Sequence, residues 1–362
     1  MPKVLVAGAT GLIGRQCIAD FLAQGWDVVG ISRRVPDLSP DPSLSLYSVD
    51  LTDRASVQTV AEELGTSDRI VYASVLELDG LVAGWRDQQQ IQTNGTMFRN
   101  LLSAIPADNR IEHIALLQGT KAYGAHRHDI PIPARERAPR DDHENFYFLQ
   151  EDMVRDYADR TGVAWSVLRP QCVWGEGSGV SLSIVPILGA YAALCRERKE
   201  PFTFPGGPSV IWEATDTRIL AHAIRWSGDA PAARNEIFNV TNGDVFEWRS
   251  LWPVIADSFG VEVGEDNPRS MAEFFAENGD VWARLAARHE LRQHDLAAIV
   301  GKSSQFADWA FAYGWEKARH RILSTTKIRA AGFDDFIDSE DSFRYWASSL
   351  IRDRWVPAPK YE

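Results

Sequence analysis

Residues 3 to 34, KVLVAGATGLIGRQCIADFLAQGWDVVGISRR, constrain the fold of this chain more than any other stretch. An apolar run, Val4 to Ala7, enters a glycine loop, Gly8-Ala9-Thr10-Gly11-Leu12-Ile13-Gly14. A helical pattern follows, and a second apolar run ends in Ser32-Arg33-Arg34. Strand, loop, helix and strand in that order make the first half of a dinucleotide-binding fold. Glycines let the backbone turn tightly and approach a pyrophosphate, and the helix N-terminus faces that anion with unpaired N–H groups. Gly8, Thr10, Gly11, Leu12, Ile13 and Gly14 are therefore expected to hold a cofactor. The alternative, a purely structural glycine turn, does not account for the matching second strand. Where an NAD enzyme places an acid for the ribose 2′-hydroxyl, this chain has Ser32, Arg33 and Arg34. Guanidinium groups bind a 2′-phosphate, so the expected cofactor is NADPH/NADP+.

The rest of the chain extends the pattern. Apolar runs of strand type lie near 3–7, 27–31, 44–48, 69–73, 112–117 and 163–168, with helical patterns near 12–24, 54–64, 86–104 and 144–161. Alternation of this kind predicts an α/β fold with a doubly wound parallel (Rossmann) sheet. Ligands in such sheets sit beyond the carboxyl ends of the strands. Asp50 and Leu51, Ala73 and Ser74, Gln118, and Pro170, Cys172 and Val173 follow the third to sixth strands and are expected to touch the cofactor. Asp50 has a second reading, as cap of the helix starting near Arg54. Past residue 175 the pattern loosens, and 244–323 reads as several helices rich in Trp and Phe. The expected organisation is an NADP-binding domain over 1–175 and a smaller, mostly helical substrate lobe over 176–362. Some late segments of that lobe are expected to return to the first domain.

Composition narrows the partners. A net charge of −12 disfavours nucleic acid and anionic membranes. No apolar run reaches the ~18 residues of a membrane span. The first strand begins at residue 3, so a cytoplasmic protein without a signal peptide is expected. A homodimer is allowed by the sequence but not specified by it. Thirteen Trp suggest a wide apolar cleft as well as a core. Most of the aromatic residues around Phe274-Phe275, Trp282 and Trp309 to Trp315 are expected in that core. Cys17, Cys172 and Cys195 have no metal or redox spacing and read as reduced core thiols. His126 and His128 form H-x-H without a partner at ligand spacing, and no metal is expected.

The spacing GxxGxxG is similar to that of the extended short-chain dehydrogenase/reductases. That superfamily usually carries Tyr-x-x-x-Lys on one helix face, the lysine lowering the tyrosine pKa. Here Tyr147 is followed four residues later by Glu151, an anion. A lysine stands instead at Lys121, just past the fifth strand, where ordinary members place Ser or Thr. Gly119-Thr120-Lys121-Ala122-Tyr123 with Asn145-Phe146-Tyr147-Phe148-Leu149-Gln150-Glu151-Asp152 resembles the progesterone 5β-reductase/iridoid synthase-like family. Phe238 to Trp248 and Lys327 to Phe343 resemble its later segments, so the likeness covers nearly the whole chain. Departures are Ala122 for the family's His, Phe148 for its second Tyr, and an inverted Gly119-Thr120; these put the substrate pocket's size and polarity in question.

The resemblance implies an NADPH-dependent reductase of activated carbon–carbon double bonds acting on small apolar enones or enals. Tyr147 would be the catalytic donor that stabilises an enolate. Lys121 would hold the oxyanion, orient the tyrosine or bind the nicotinamide ribose. A packed helical aromatic and a solvated loop lysine are the alternatives for these two residues. Reduction of an aldehyde or ketone, and a non-catalytic NADP(H) sensor, are the competing functions.

Overall fold

In a computed structural model of the chain, which describes residues 1–78, 81–176 and 182–359, seven strands form one sheet. They are β1 (Lys3–Ala7), β2 (Asp27–Ser32), β3 (Leu44–Ser48), β4 (Arg69–Tyr72), β5 (His113–Leu117), β6 (Ala164–Pro170) and β7 (Glu236–Val240). Their order is β7-β6-β5-β4-β1-β2-β3, and every pairing is parallel. The order reverses beside β1, the switch point at which ligands bind in such sheets.

Alternation along β1 builds a core on each face. Leu5 and Ala7 pack with Phe98, Leu101, Val154 and Tyr157, whereas Val4 and Val6 pack with Cys17, Ile18, Phe21 and Leu220. The first of these cores is covered by α2 (Gln88–Ala104) and α3 (Phe146–Thr161), and the second by α1 (Leu12–Ala23) and α5 (Thr217–Asp229). α5 and β7 both come from well beyond residue 175.

A third core lies at the carboxyl edge of the sheet. Its centre is α4 (Val185–Arg198), whose residues from Val185 to Cys195 are all buried, so the helix is apolar on every side. Around it pack α6 (Trp248–Phe259), α7 (Met271–Glu277), α8 (Gly279–Arg288), α9 (Leu296–Val300), α10 (Ser303–Ala310) and α11 (Ser339–Arg352). Phe274, Phe275 and Trp282 are buried in this core, as the sequence leads one to expect. All three cysteines are free and buried. Among the described residues, no helix is long and apolar enough to cross a membrane.

Candidate active site

The loop after β1 is built by two glycines that tolerate no side chain. Gly8 has φ +97°, and a Cβ there would meet the carbonyl of Ala73 at 2.7 Å. A Cβ at Gly14 would lie 2.1 Å from the carbonyl oxygen of Gly8, so the first turn of α1 can close against the loop only with glycine. Gly11 is the N-cap of α1 and offers no side-chain acceptor, and no acid stands in the first turn. The helix N-terminus is thus left with unpaired N–H groups and a positive dipole end, as an anion requires.

Ser32, Arg33 and Arg34 follow β2. The Ser32 hydroxyl donates to the carbonyl of Arg34 at 2.5 Å and that of Ser48 to the carbonyl of Arg33 at 3.0 Å, which fixes the backbone under both guanidinium groups. Both arginines are exposed and, among the described residues, neither has a carboxylate partner in an ion pair. Asp50 accepts from the backbone N–H of Thr52 at 2.9 Å and from its hydroxyl at 2.7 Å. These bonds, with the nearby Arg33, hold its carboxyl below the usual range despite partial burial. The cap reading of Asp50 is corrected: Asp53 caps the helix Arg54–Gln58, accepting from Ala55 N–H at 3.0 Å.

One cavity of about 610 Å³ joins these parts. It runs from Gly8, Thr10, Gly11, Leu12 and Ile13 past the Arg pair, Asp50 and Leu51 to Ala73 and Ser74. It continues to Gln118, Lys121 and Tyr147, and to Pro170, Cys172 and Val173. Gly14 shapes the loop without lining the cavity. Gln118 reaches the cavity with its carboxamide already committed: the oxygen accepts from Arg169 at 2.8 Å, and the amide donates to the carbonyl of Tyr147 at 3.1 Å. Cys172 has φ +40°, and burial pushes its thiol up to about 12, so no thiolate nucleophile forms there.

At the inner end, Tyr147 is the second residue of α3. Asn145 caps that helix by accepting from the N–H of Tyr147 at 3.0 Å, which fixes the ring at the cavity wall. The hydroxyl of Tyr147 has no hydrogen-bond partner among the described residues. Burial raises its pKa above the ordinary phenol value; the charge of Lys121 opposes that shift without cancelling it. It is a neutral donor.

Lys121 sits on a single 3₁₀ turn, Thr120–Tyr123, directly after β5. Its ammonium lies 3.2 Å from Glu77 Oε1 and over the rings of Trp85, Phe146 and Tyr147 at 4.8, 5.5 and 5.5 Å. Burial, the largest influence on this lysine, favours the neutral form, but the charge and hydrogen bond of Glu77, with the charge Tyr147 would carry once ionised, outweigh it and keep its pKa above the ordinary lysine value. One turn further along the buried face of α3, Glu151 is bound by Arg140, Arg155 and Arg169 at 2.9, 3.0 and 3.3 Å. Its carboxyl stays below the usual range because the three arginines overcome the effect of burial.

Several lining residues are not legible in the sequence. Glu77 and Trp85 come from the segment after β4, Trp212 comes from a two-residue strand, Ile211–Trp212, and Lys302, Phe306 and Trp309 come from α10 and its N-cap. His126, which reads as a loop residue, is buried at the cavity wall, where burial pushes its pKa down to about 3. Among the described residues, no cluster of His, Cys, Asp and Glu is arranged to hold a metal ion.

A parallel sheet with a glycine loop and a helix N-terminus at its switch point defines a dinucleotide-dependent class of protein. The model of the NAD dependent epimerase/dehydratase family matches residues 4–241. An (S)-8-oxocitronellyl enol synthase of Nepeta racemosa is 30% identical over 98% of this chain and 91% of its own length. A 3-oxo-Δ4,5-steroid 5β-reductase of Arabidopsis thaliana is 28% identical over 98% and 92%. Among solved structures, a UDP-glucose 4-epimerase of Thermus thermophilus in complex with NAD superposes with a TM-score of 0.66 over 96% of this chain and 98% of that one, at 18% identity. The chain belongs to the NAD dependent epimerase/dehydratase family, and within it to the progesterone 5β-reductase/iridoid synthase-like oxidoreductases of the short-chain dehydrogenase/reductase superfamily.

Proposed function

We propose that the protein is an NADPH-dependent reductase of activated carbon–carbon double bonds in small apolar enones or enals. One observation carries the reading: an unpartnered, neutral tyrosine hydroxyl and a buried ammonium meet at one end of a cavity whose other end is a dinucleotide cradle. A bound NADPH would supply hydride to the β-carbon of the acceptor. The chain's own residues then have to manage the charge that builds on the carbonyl oxygen.

Tyr147 donates a hydrogen bond to that oxygen, and its raised pKa keeps the proton on the phenol for this purpose. Lys121 places a positive charge beside the same oxygen in surroundings of low dielectric, where the charge acts strongly. The usual Tyr-x-x-x-Lys arrangement lowers a tyrosine pKa for proton exchange with an alcohol; here that lysine is replaced by Glu151, whose charge is taken up by three arginines. Trp85, Trp212, Phe306 and Trp309 offer an apolar wall for the carbon skeleton. At the other end, the glycine loop and α1 receive the pyrophosphate, and Arg33 and Arg34 receive the 2′-phosphate. Two relatives support the same chemistry by name, one an enol synthase and one a 5β-reductase of 3-oxo-Δ4,5-steroids.

The test is NADPH consumption with a panel of small enones and enals, with the products identified. Saturated carbonyl compounds are expected. Allylic alcohols as the main products would replace this reading with carbonyl reduction, and an absence of turnover with intact NADPH binding would favour the sensor.

A further inference from the structure

The segment after β4 carries no catalytic motif, yet it is held with unusual thoroughness. Two carboxamides of α2, Gln90 and Asn94, are 1% and 0% exposed. Buried amides are costly unless bonded, and both bond to this segment, Asn94 also to the carbonyl of Gln90. Asn94 accepts from Leu76 N–H at 2.8 Å and donates back to the carbonyl of Leu76 at 2.9 Å. Gln90 accepts from Leu78 N–H at 2.7 Å and donates to Glu77 Oε2 at 2.6 Å. From the C-terminal helices, the Lys302 ammonium donates to the carbonyl of Glu77.

The residue between these anchors is thus fixed on both sides. With one carboxylate oxygen taken by Gln90, the other is turned to Lys121 Nζ at 3.2 Å. The two side chains are 3% and 11% exposed, so water does little to screen or replace the pair. We propose that Glu77 is a positioning residue: it holds the Lys121 ammonium, charged, against the ring of Tyr147. This rests on the reading of Lys121 given above.

The chemistry requires such a partner. A lysine in this place faces the rings of Trp85, Phe146 and Tyr147, with His126 kept neutral by its own burial. The other charges nearby, Lys302 at the Glu77 carbonyl and Arg169 toward Tyr147, are also positive and add nothing that favours the ammonium. Burial favours the neutral amine, and Glu77 is the carboxylate that opposes it. The pair is neutral as a whole, so an apolar substrate meets no uncompensated charge until negative charge grows on its oxygen.

The experiment is kcat/KM against pH on a weakly activated enone for the parent, Glu77→Gln, Glu77→Asp and Lys121→Ala, with NADPH affinity measured in parallel. Loss of a proton from the coupled Lys121–Tyr147 pair should set an alkaline limb in the parent, and Glu77→Gln should move that limb down by about one to three pH units, since Glu77 raises the pKa of both groups. Activity of Glu77→Gln should rise toward the acid side relative to its own value at alkaline pH, and NADPH affinity should hold. Glu77→Asp, with a shorter reach, should move the limb down by less. If Glu77→Gln does not fold, the direction of the limb in Glu77→Asp decides the matter. A limb that stays at the parent's position in the folded variants overturns the role of Glu77 while Lys121→Ala remains impaired. Full activity of Lys121→Ala would instead overturn the reading of the lysine itself.

Discussion

The buried face of helix α3 carries two charge clusters, one turn apart, that use the same chemistry for different ends. At the rear, on the second turn, one carboxylate, Glu151, is shared by Arg140, Arg155 and Arg169 and by the amide of Gln118, and Arg169 also lies over the ring of Tyr123 at 4.9 Å. At the front, beside the first turn, one carboxylate, Glu77, meets one ammonium, Lys121, which lies over the ring of Tyr147. In the rear cluster each bond has a partner inside the protein. The front cluster leaves a hydroxyl without a protein partner and a cation beside it. The difference shows how one helix can be anchored at its second turn and kept ready for a substrate at its first.

The largest effect is expected where the rear cluster is reversed. Glu151→Lys restores the superfamily's Tyr-x-x-x-Lys spacing but places an ammonium among three guanidinium groups. Breaking a buried ion pair on one side costs about 3–5 kcal/mol, and urea unfolding should register a loss of that size. Alcohol oxidation should not appear, since Lys121 still occupies the place of the Ser or Thr donor. Ordinary alcohol dehydrogenase rates in this variant would contradict the assignment of Lys121. The same cluster has a pH signature. The Glu151 carboxyl lies below its ordinary range, so its stabilisation is present above the unfolded value of about 4.3 and fades as pH falls through the lower folded value. Glu151→Gln should flatten that part of the acid unfolding curve; an unchanged curve would show that the arginines hold no anion there.

In the front cluster, chemistry should suffer and stability should not. Tyr147→Phe removes one donor, and kcat/KM on a weakly activated enone should fall by roughly 10²–10³, the usual cost of one oxyanion donor. A strongly activated enal should lose less. Lys121→Ala should act in the same direction, and the double variant should be little worse than Tyr147→Phe if the two groups act as a unit. Full activity of Tyr147→Phe would make the tyrosine a packing residue.

A smaller effect is expected at the cavity's far end, where Arg33 and Arg34 are exposed to solvent. Replacing both with Ala should weaken NADPH by roughly 10- to 100-fold, in keeping with the loss of a charged hydrogen bond or two, and leave NADH nearly unchanged. Equal affinity of the parent for the two cofactors, measured by fluorescence titration, would remove the assignment.

Much of the sheet could be read along the chain, because each strand and each glycine constraint is local. The runs near 3–7, 27–31, 44–48, 69–73, 112–117 and 163–168 meet the observed strands within a few residues, and the strand ends carry the residues that line the cavity. Asp50 was ambiguous for the same reason of locality. An acid just past a strand and just before a helix suits both a ligand and a cap, and Asp53, three residues on, takes the cap.

What the sequence determined by itself is the cradle and the identity of the donors: periods of two and 3.6 residues, glycines at fixed spacing, and a displaced lysine are all short-range patterns. What only the tertiary structure decided is the company those donors keep. Glu77 meets Lys121 across 44 positions, Arg169 meets Glu151 across 18, and Trp309 reaches the wall from a separate core. No local pattern marks such partners, because burial and charge pairing depend on how the sheet and helices close on one another, and one carboxylate looks like any other until a cation is sealed beside it.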